Sequence, residues 1–279
     1  MKPKKRTSAS AARGALDSSW GEVAAWYDSL LEGSDTYQTQ VILPNLLRVL
    51  GLRRGEKVID IACGQGFFTR ACAQAGAVPV GADISKELIA LARTQSPKDL
   101  SFHVAPAHQL HFAKDGAYDT ALIVLALQNI EHLDAVCAEA NRVLSSEGRM
   151  VLVLNHPTFR VLKHSSWGYD AQAQVQYRRV ERYLSAKKVF VDMHPGKKGG
   201  PQTISYHRSL QDISKALYKS GFAISRLEEW ISHRVSGKGP RQKAEDTARK
   251  EIPLFMMLEV CKVNRTHRSK SAASTTSGD

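Results

Sequence analysis

Apolar residues follow two different periods along residues 51–155, and these periods predict the secondary structure. Continuous apolar runs predict buried strands at 57–61, 78–82, 100–104, 118–124 and 149–154. Apolar positions recurring every three to four residues predict helices at 67–76, 85–94 and 131–144. Strands and helices joined by short connections indicate a parallel sheet with helices on both faces, a doubly wound α/β fold.

Flanking patterns extend this prediction in both directions. Helical spacing within 20–50 predicts two N-terminal helices, and a helix at 209–220 ends at Gly221, a residue common after helix C-termini. Apolar runs at 222–231 and 252–263 predict two closing strands, separated by a basic, glycine-containing stretch at 236–250. Residues 1–16 hold five bases and no acid, so we expect a disordered arm, with a polar tail at 265–279.

Residues 156–206 interrupt the alternation between the fifth strand and the next helix. Such an insertion lies over the carboxyl ends of the strands, so we expect it to form a lid over a substrate. Aromatic and basic residues are interleaved in it, and they fit either a surface that binds an anion or RNA, or the solvated face of an amphipathic lid helix. These residues are Tyr177, Arg178, Arg179, Arg182, Tyr183, Lys187 and Lys188.

The stretch VIDIACGQGFFTR at 58–70 carries the most specific chemistry. Asp60 lies near the end of a strand, Gly64 and Gly66 form a loop, and a helix follows. Glycine accepts the positive φ of a tight turn and lets a ligand approach the backbone, and a helix start offers unpaired N–H groups. Asp83 ends the next strand, where a doubly wound sheet binds a ribose diol.

This loop differs from a dinucleotide-binding loop. Thr69 stands at the place of the third glycine, and Asp60 would repel a pyrophosphate but suits a zwitterionic ligand with a cationic group. The string D-x-A-C-G-x-G resembles motif I of the class I S-adenosylmethionine (SAM) methyltransferases, specifically the type 11 or UbiE-like branch. The resemblance extends from about Trp20 to Val263.

The resemblance implies a seven-stranded Rossmann-like methyltransferase sheet with an antiparallel last strand, N-terminal helices and an inserted lid after the fifth strand. It makes 17–264 one methyltransferase domain between the arm and the tail. Within this domain we expect a helical cap at 17–50, a SAM-binding core at 51–155, a substrate lid at 156–206, and a C-terminal helix and strands at 207–264.

The same resemblance implies the cofactor-binding residues. The loop glycines would approach SAM, Asp60 would order its ammonium end, and Asp83 would accept both ribose hydroxyls. The Asp-Ala pair that usually contacts adenine is replaced by Ala105-Pro106-Ala107-His108, a departure from the family. The full set is Tyr27, Asp60, Cys63, Gly64, Gly66, Asp83, Ile84, Ala107, His108, Val124 and Leu125.

His156 is the candidate catalytic residue, because it stands where the fifth strand leaves the sheet. A neutral imidazole there could accept a phenol or enol proton; the alternative is a structural histidine. Residues 127–132 (LQNIEH) are not the Asn/Asp-Pro-Pro-aromatic motif of nucleic-acid N-methyltransferases, which argues against methylation of base amino groups. No histidine spacing predicts a metal site.

Charge and cysteine content refine the functional prediction. Of the net charge of +12, all the excess lies in 156–279, with 23 basic and 11 acidic residues. This suggests an anionic partner, RNA or an anionic lipid surface included, although solubility is an alternative explanation. Four cysteines without a CxxC pair suggest free thiols in a reducing compartment such as the cytoplasm. No apolar run is long enough to span a membrane.

The sequence therefore predicts a SAM-dependent methyltransferase that methylates an O, C or N nucleophile. Its acceptor would be a small molecule, anionic or quinone-like, under the lid. Two alternatives stay open. One is an RNA- or ribosome-directed methyltransferase that uses the basic C-terminal half. The other is a non-catalytic SAM-fold binding module, which the altered adenine motif would permit.

Overall fold

The computed structural model describes residues 33–192 and 202–263. Tyr27, the first predicted N-terminal helix, the basic arm and the polar tail lie outside these residues. The first described helix, α1 (Leu43–Leu50), follows a π-helical turn at Gln38–Ile42 and carries a proline in its first turn, where a missing N–H has no cost.

A seven-stranded sheet forms the centre of the molecule. Its first five strands are β1 (Lys57–Ile61), β2 (Val78–Asp83), β3 (Ser101–Val104), β4 (Tyr118–Val124) and β5 (Leu144–Asn155). Two hairpins follow, β6 (Ser165–Asp170) with β7 (Val175–Val180), and β8 (Lys187–Asp192) with β9 (Gln202–His207). The last strands of the sheet are β10 (Phe222–Trp230) and β11 (Phe255–Lys262).

The strand order β10-β11-β5-β4-β1-β2-β3 confirms the predicted fold. β1 to β5 are parallel, whereas β11 runs antiparallel between β5 and β10. The order reverses at β1, with β4 on one side and β2 on the other. In an open sheet this switch point leaves a crevice at the carboxyl ends of the strands, where ligands bind.

Helices cover both faces of the sheet. After α1 they are α2 (Phe67–Gln74), α3 (Lys86–Thr94), α4 (Leu133–Val143), α5 (Leu210–Lys219) and α6 (Gln242–Glu251). Alternate side chains of one strand enter two different hydrophobic clusters: Ala121 and Ile123 pack with the α4 and α5 side, and Leu122 and Val124 with the α1 and α2 side. Because both faces of the strand are buried in this way, its sequence is a continuous apolar run.

The lid segment, residues 156–206, contains strands rather than a helix. The amphipathic-helix alternative is therefore wrong for its described part. Exposure along β7 alternates residue by residue, which is the period of a strand with one face against the protein. Gly168 of β6 allows the close pairing with β7, because a Cβ there would lie 2.4 Å from the ring of Tyr177. The lid is thus a pair of hairpins between β5 and α5.

Helix α5 begins immediately after the second hairpin with a capping box. The Ser209 hydroxyl accepts a hydrogen bond from the Asp212 N–H at 3.2 Å, and the Asp212 carboxylate accepts one from the Ser209 N–H at 3.1 Å. These hydrogen bonds give partners to backbone N–H groups at the helix start, which have no acceptor within the helix. They fix the point at which the chain leaves the lid and returns to the core.

Candidate functional site

The loop between β1 and α2 has three residues in the left-handed region. Ala62, Gly64 and Gly66 have φ of 60°, 58° and 82°. Gly66 has a second reason to be glycine, since a Cβ there would lie 2.8 Å from the Phe102 ring. Ala62 adopts this conformation with a side chain, at a cost of about 1–2 kcal/mol. Strain of this kind persists only where surrounding contacts hold it, and it is common at ligand sites.

Asp83 joins this loop to the next one. Its Oδ2 accepts a hydrogen bond from the Gly64 N–H at 2.9 Å, and its Oδ1 accepts one from the Ser85 N–H at 2.9 Å. Burial raises the pKa of the carboxyl group, and the hydrogen bonds from the backbone N–H groups oppose that shift. Each oxygen retains a lone pair, so the carboxylate is fixed in place and can still accept two ligand hydroxyls.

Asp60 lies deeper, with 1% of its surface exposed. Its Oδ2 accepts a hydrogen bond from the Thr69 hydroxyl at 2.6 Å. Burial raises the pKa of Asp60 to about 7, and the negative charge of Asp83 adds to the effect. A cationic ligand group beside Asp60 would favour the ionised form and lower this pKa again.

These groups open into a cleft whose volume, its open mouth included, is about 760 Å³. Seven of the predicted cofactor residues line it: Asp60, Cys63, Gly64, Asp83, Ile84, Val124 and Leu125. Burial raises the pKa of the Cys63 thiol well above its ordinary value, so the thiol is neutral and fits the role of a small filler. We call this the cofactor cleft.

Three predicted residues do not line the cofactor cleft. Gly66 supports the loop from behind, against Phe102. Ala107 is buried in the core beside Leu110, and the His108 ring packs edge-on against His132 at 5.5 Å. Phe67, Phe68 and Asn129 also line the cleft, although they were not predicted from the sequence. The two aromatic residues directly follow Gly66, so their place at the helix start was a usable signal.

A second cleft, of about 600 Å³, lies between the lid and the carboxyl end of β5. Its walls come from the loop after β4, the segment after β5, strand β9 and helix α5. The lining residues are Leu127, Gln128, Leu154, Asn155, Pro157, Arg160, Leu162, Ser205, Tyr206, His207, Arg208 and Ile213. We call it the lid cleft. The loop after β4 is shared, because residues 124–126, 129 and 130 line the cofactor cleft while Leu127 and Gln128 line the lid cleft.

Arg208 fixes this shared loop. Its Nη1 donates a hydrogen bond to the Leu127 carbonyl at 3.1 Å, and its Nη2 donates to the Ile130 and Glu131 carbonyls, both at 2.6 Å. The residue immediately follows β9 and precedes the Ser209 cap. A single guanidinium therefore connects the end of the lid to the wall between the two clefts.

His156 is placed beside the lid cleft, but both of its ring nitrogens are engaged. Nδ1 accepts hydrogen bonds from the backbone N–H groups of Thr158 and Phe159 at 3.2 and 3.4 Å, which leaves the ring proton on Nε2. Nε2 then donates to Glu229 Oε1 at 2.7 Å. Burial lowers the pKa of the imidazole. The arrangement fits a structural histidine, and a catalytic role for His156 stays a prediction.

Two arginines of the basic stripe, Arg178 and Arg179, form their contacts within the lid itself. Arg178 donates hydrogen bonds to the Phe159 carbonyl at 2.8 Å and to the Ser165 hydroxyl at 2.7 Å, and its guanidinium lies over the Trp167 ring. Arg179 pairs with Glu181. These contacts fold the first hairpin against the segment after β5, and they leave less of the stripe available for a polyanion.

Within the part of the chain that the structure describes, no group of His, Cys, Asp and Glu could hold a metal ion. No described helix has the length and apolar character needed to cross a bilayer. All four cysteines are free thiols, three of them buried.

Comparison with known proteins identifies the class. Residues 59–152 match the type 11 family model described as a methyltransferase domain. The demethylmenaquinone methyltransferase of Tropheryma whipplei (strain Twist) is 32% identical over 113 residues, which cover 39% of this chain and 46% of that protein. The enzyme of the same name from Renibacterium salmoninarum is 29% identical over 155 residues, 53% of this chain and 65% of that protein.

A solved SAM-dependent methyltransferase from Mesorhizobium loti has a TM-score of 0.61 and 26% identity, covering 78% of this chain and 96% of that one. A second, from Listeria monocytogenes, has the same TM-score at 21% identity and supports the fold alone. Residues 59–152 therefore form a methyltransferase domain of the type 11 family, within the fold of a class I SAM-dependent methyltransferase. The chain is a distant homologue of the demethylmenaquinone methyltransferases and spans about half to two thirds of their length.

Proposed function

We propose that this protein binds SAM in the cofactor cleft and transfers its methyl group to a small molecule bound in the lid cleft. The observation that carries the proposal is the pair of clefts on either side of one loop, residues 124–130. A ligand in each would place donor and acceptor against the same short segment. Such proximity supplies most of the rate when the methyl group is already activated.

The residues of the cofactor cleft suit each portion of SAM. Asp83, which is fixed by hydrogen bonds from two backbone N–H groups, would accept the ribose hydroxyls, and Asp60 would stabilise the ammonium group. Ile84 would pack on the adenine ring, and Val124 and Leu125 would lie along the methionine portion. SAM supplies a methyl group on a sulfonium, which is a good leaving group. The chain then has only to orient the acceptor and exclude water.

A small-molecule acceptor is favoured by the lining of the lid cleft. It combines apolar walls from Leu127, Leu154 and Ile213 with polar side chains that include Arg160, and this combination is typical of a small-molecule site. The curated relatives act on demethylmenaquinone, a small molecule by the name they carry. Because Arg178 and Arg179 are bonded within the lid, we do not propose an RNA acceptor. The similarity to enzymes favours catalysis over a silent binding module, and the free thiols suit the cytoplasm.

The test is equilibrium binding of SAM to wild type and to Asp83→Ala. Loss of a carboxylate that makes two contacts should weaken SAM binding by roughly tenfold to a hundredfold. Asp119→Ala is a matched control, because Asp119 also accepts a backbone N–H, that of Lys57 at 2.9 Å, but at the opposite end of the sheet. Asp119→Ala should bind SAM with an affinity within about twofold of that of wild type. Equal SAM affinity in wild type and Asp83→Ala would refute the assignment of this cleft.

A further inference from the structure

Arginines withdrawn from solvent fall into two groups in the described structure. Two on the core elements have acidic partners: Arg142 lies 2.8 Å from Glu139, and Arg149 lies 3.1 Å from Glu259. Arg160 and Arg208, which line the lid cleft, have no acidic partner among the described residues. A guanidinium that is partly removed from water without a counter-charge is costly, and an incoming anion would offset that cost.

Arg160 has donors to spare. Its Nη1 donates one hydrogen bond, to the Asn155 side-chain oxygen at 2.8 Å, and its guanidinium lies over the Phe255 ring at 5.6 Å. A guanidinium has five N–H donors, so most of them have no partner among the described residues. Burial lowers the pKa of Arg160; the Tyr37 phenol opposes this shift, and the charge of Arg178 adds a smaller lowering effect. Arg208, by contrast, uses three bonds to fix the loop after β4.

The acids near the lid cleft do not neutralise Arg160. Glu229 accepts a hydrogen bond from His156, and Glu131 accepts one from the Tyr206 hydroxyl at 3.0 Å. Arg160 therefore forms no ion pair with the described side chains around it, whereas Asp212 and Asp134 act on the charge of Arg208.

Gln128 supplies a second polar feature of the same cleft. Its Nε2 donates to the Leu125 carbonyl, whereas its Oε1 is buried and has no hydrogen-bond partner among the described residues. A buried acceptor without a donor is uncommon in folded proteins and calls for an explanation. Because Oε1 has almost no accessible surface, it is a polar feature of the loop shared by the two clefts, and it does not contact a ligand in this side-chain position.

We propose that the lid cleft recognises a small carboxylic acid, with the carboxylate bound by Arg160. The proposal rests on the proposed function, because it names the class of acceptor for that site. Leu127, Leu154 and Ile213 supply apolar walls for the body of the molecule. Arg160 acts here in binding and orientation and takes no part in bond making.

The experiment compares benzoate with benzamide, two probes of equal size that differ in charge, by calorimetry on the full chain with S-adenosylhomocysteine present. Wild type should bind benzoate roughly tenfold to a hundredfold more tightly than benzamide, the range for a charged hydrogen bond. Arg160→Met should reduce this preference to within about twofold, and Arg160→Lys should keep part of it, because the charge remains.

Arg179→Met is the matched control. Arg179 is an exposed lid arginine paired with Glu181, so its loss removes the same charge and should leave the preference for benzoate unchanged. SAM affinity within about twofold of wild type in every variant would show that the fold is intact. Equal binding of the two probes by wild type, no benzoate binding up to about 20 mM, or a preference kept by Arg160→Met would each overturn the proposal. Failure to bind SAM with the benzoate preference intact would instead refute the proposed function.

Discussion

Asp60 is the residue through which pH acts on the cofactor cleft. The fold raises the pKa of its carboxyl group from 3.8 to about 7, chiefly by burial. Between these values the folded, unliganded protein holds a proton that the unfolded chain releases. Its stability is therefore greatest below the lower pKa and falls as the pH rises through about 7. SAM binding should follow the opposite trend, since its cationic group needs the ionised carboxylate.

Asp60→Asn should separate these two effects. The amide is neutral at every pH, so the unliganded variant should be more stable than wild type at about pH 8, and its melting temperature should change less between about pH 5 and 8. SAM binding should weaken at the higher pH, because the ammonium group loses its counter-charge. Thermal unfolding and SAM titration at both values test this. A variant less stable than wild type at about pH 8 would contradict the assigned burial effect.

His156→Ala distinguishes a structural histidine from a general base. The substitution removes a partner from two backbone amides and from Glu229, so we expect a loss of about 1–3 kcal/mol in the free energy of unfolding. Turnover at a temperature where the variant stays folded should fall little. His111→Ala, at an exposed position, should change neither quantity. Unchanged stability with lost turnover would instead support the catalytic role that the sequence suggested.

At the scale of elements, the capping box of α5 gives a simple test of how the lid is attached. Ser209→Ala removes the bond to the Asp212 N–H and should lower the free energy of unfolding by about 1 kcal/mol. Ser101→Ala, at the exposed start of β3, should stay within about 0.5 kcal/mol of wild type. Denaturant unfolding of both variants measures the difference. Equal stability would mean that the cap has no role in fixing the lid.

The sheet and its helices could be predicted because each element has its own periodic signal. β4 is an example: it is apolar along its length since both of its faces are covered, and the structure places it at the predicted residues 118–124. The cofactor loop followed from Asp60, the glycines and Asp83, whose order along the chain mirrors their positions at adjacent strand ends. These features depend on local sequence, which is why sequence could reveal them.

The lid could not be predicted to the same depth. β6 to β9 are short, half-exposed strands with alternating apolar and charged residues, and this pattern is weak beside a helical one. Helix α6 buries only Ala248 and therefore has no apolar stripe. The role proposed for Arg160 rests on its having no acidic partner among the described residues, and this can be seen only in the folded structure. The hydrogen bond that engages His156 comes likewise from a distant residue, Glu229, which is 73 residues away in the sequence.

At the scale of the whole molecule, charge is divided between two regions. The predicted SAM-binding core, 51–155, has 10 basic and 11 acidic residues, whereas 156–279 carries the excess of base. In the described part of that basic region, the arginines nearest the lid cleft are held by neutral oxygens and aromatic rings, while Arg179 forms an ion pair on the outer surface. The position of each charge, more than the net charge, is therefore what bears on acceptor choice.

The three hydrogen bonds of Arg208 bear on how strongly the two proposed ligands affect each other's binding. The loop they fix forms a wall of both clefts, so a ligand that tightens it from one side should ease binding on the other, and by linkage the effect must be equal in both directions. We expect benzoate to increase SAM affinity by roughly fivefold or more in wild type. In Arg208→Lys, which cannot bridge three carbonyls in one plane, the two ligands should bind independently. Titrations of each ligand in the presence of the other would reveal this synergy, and independent binding in wild type would show that the shared loop is rigid in all states.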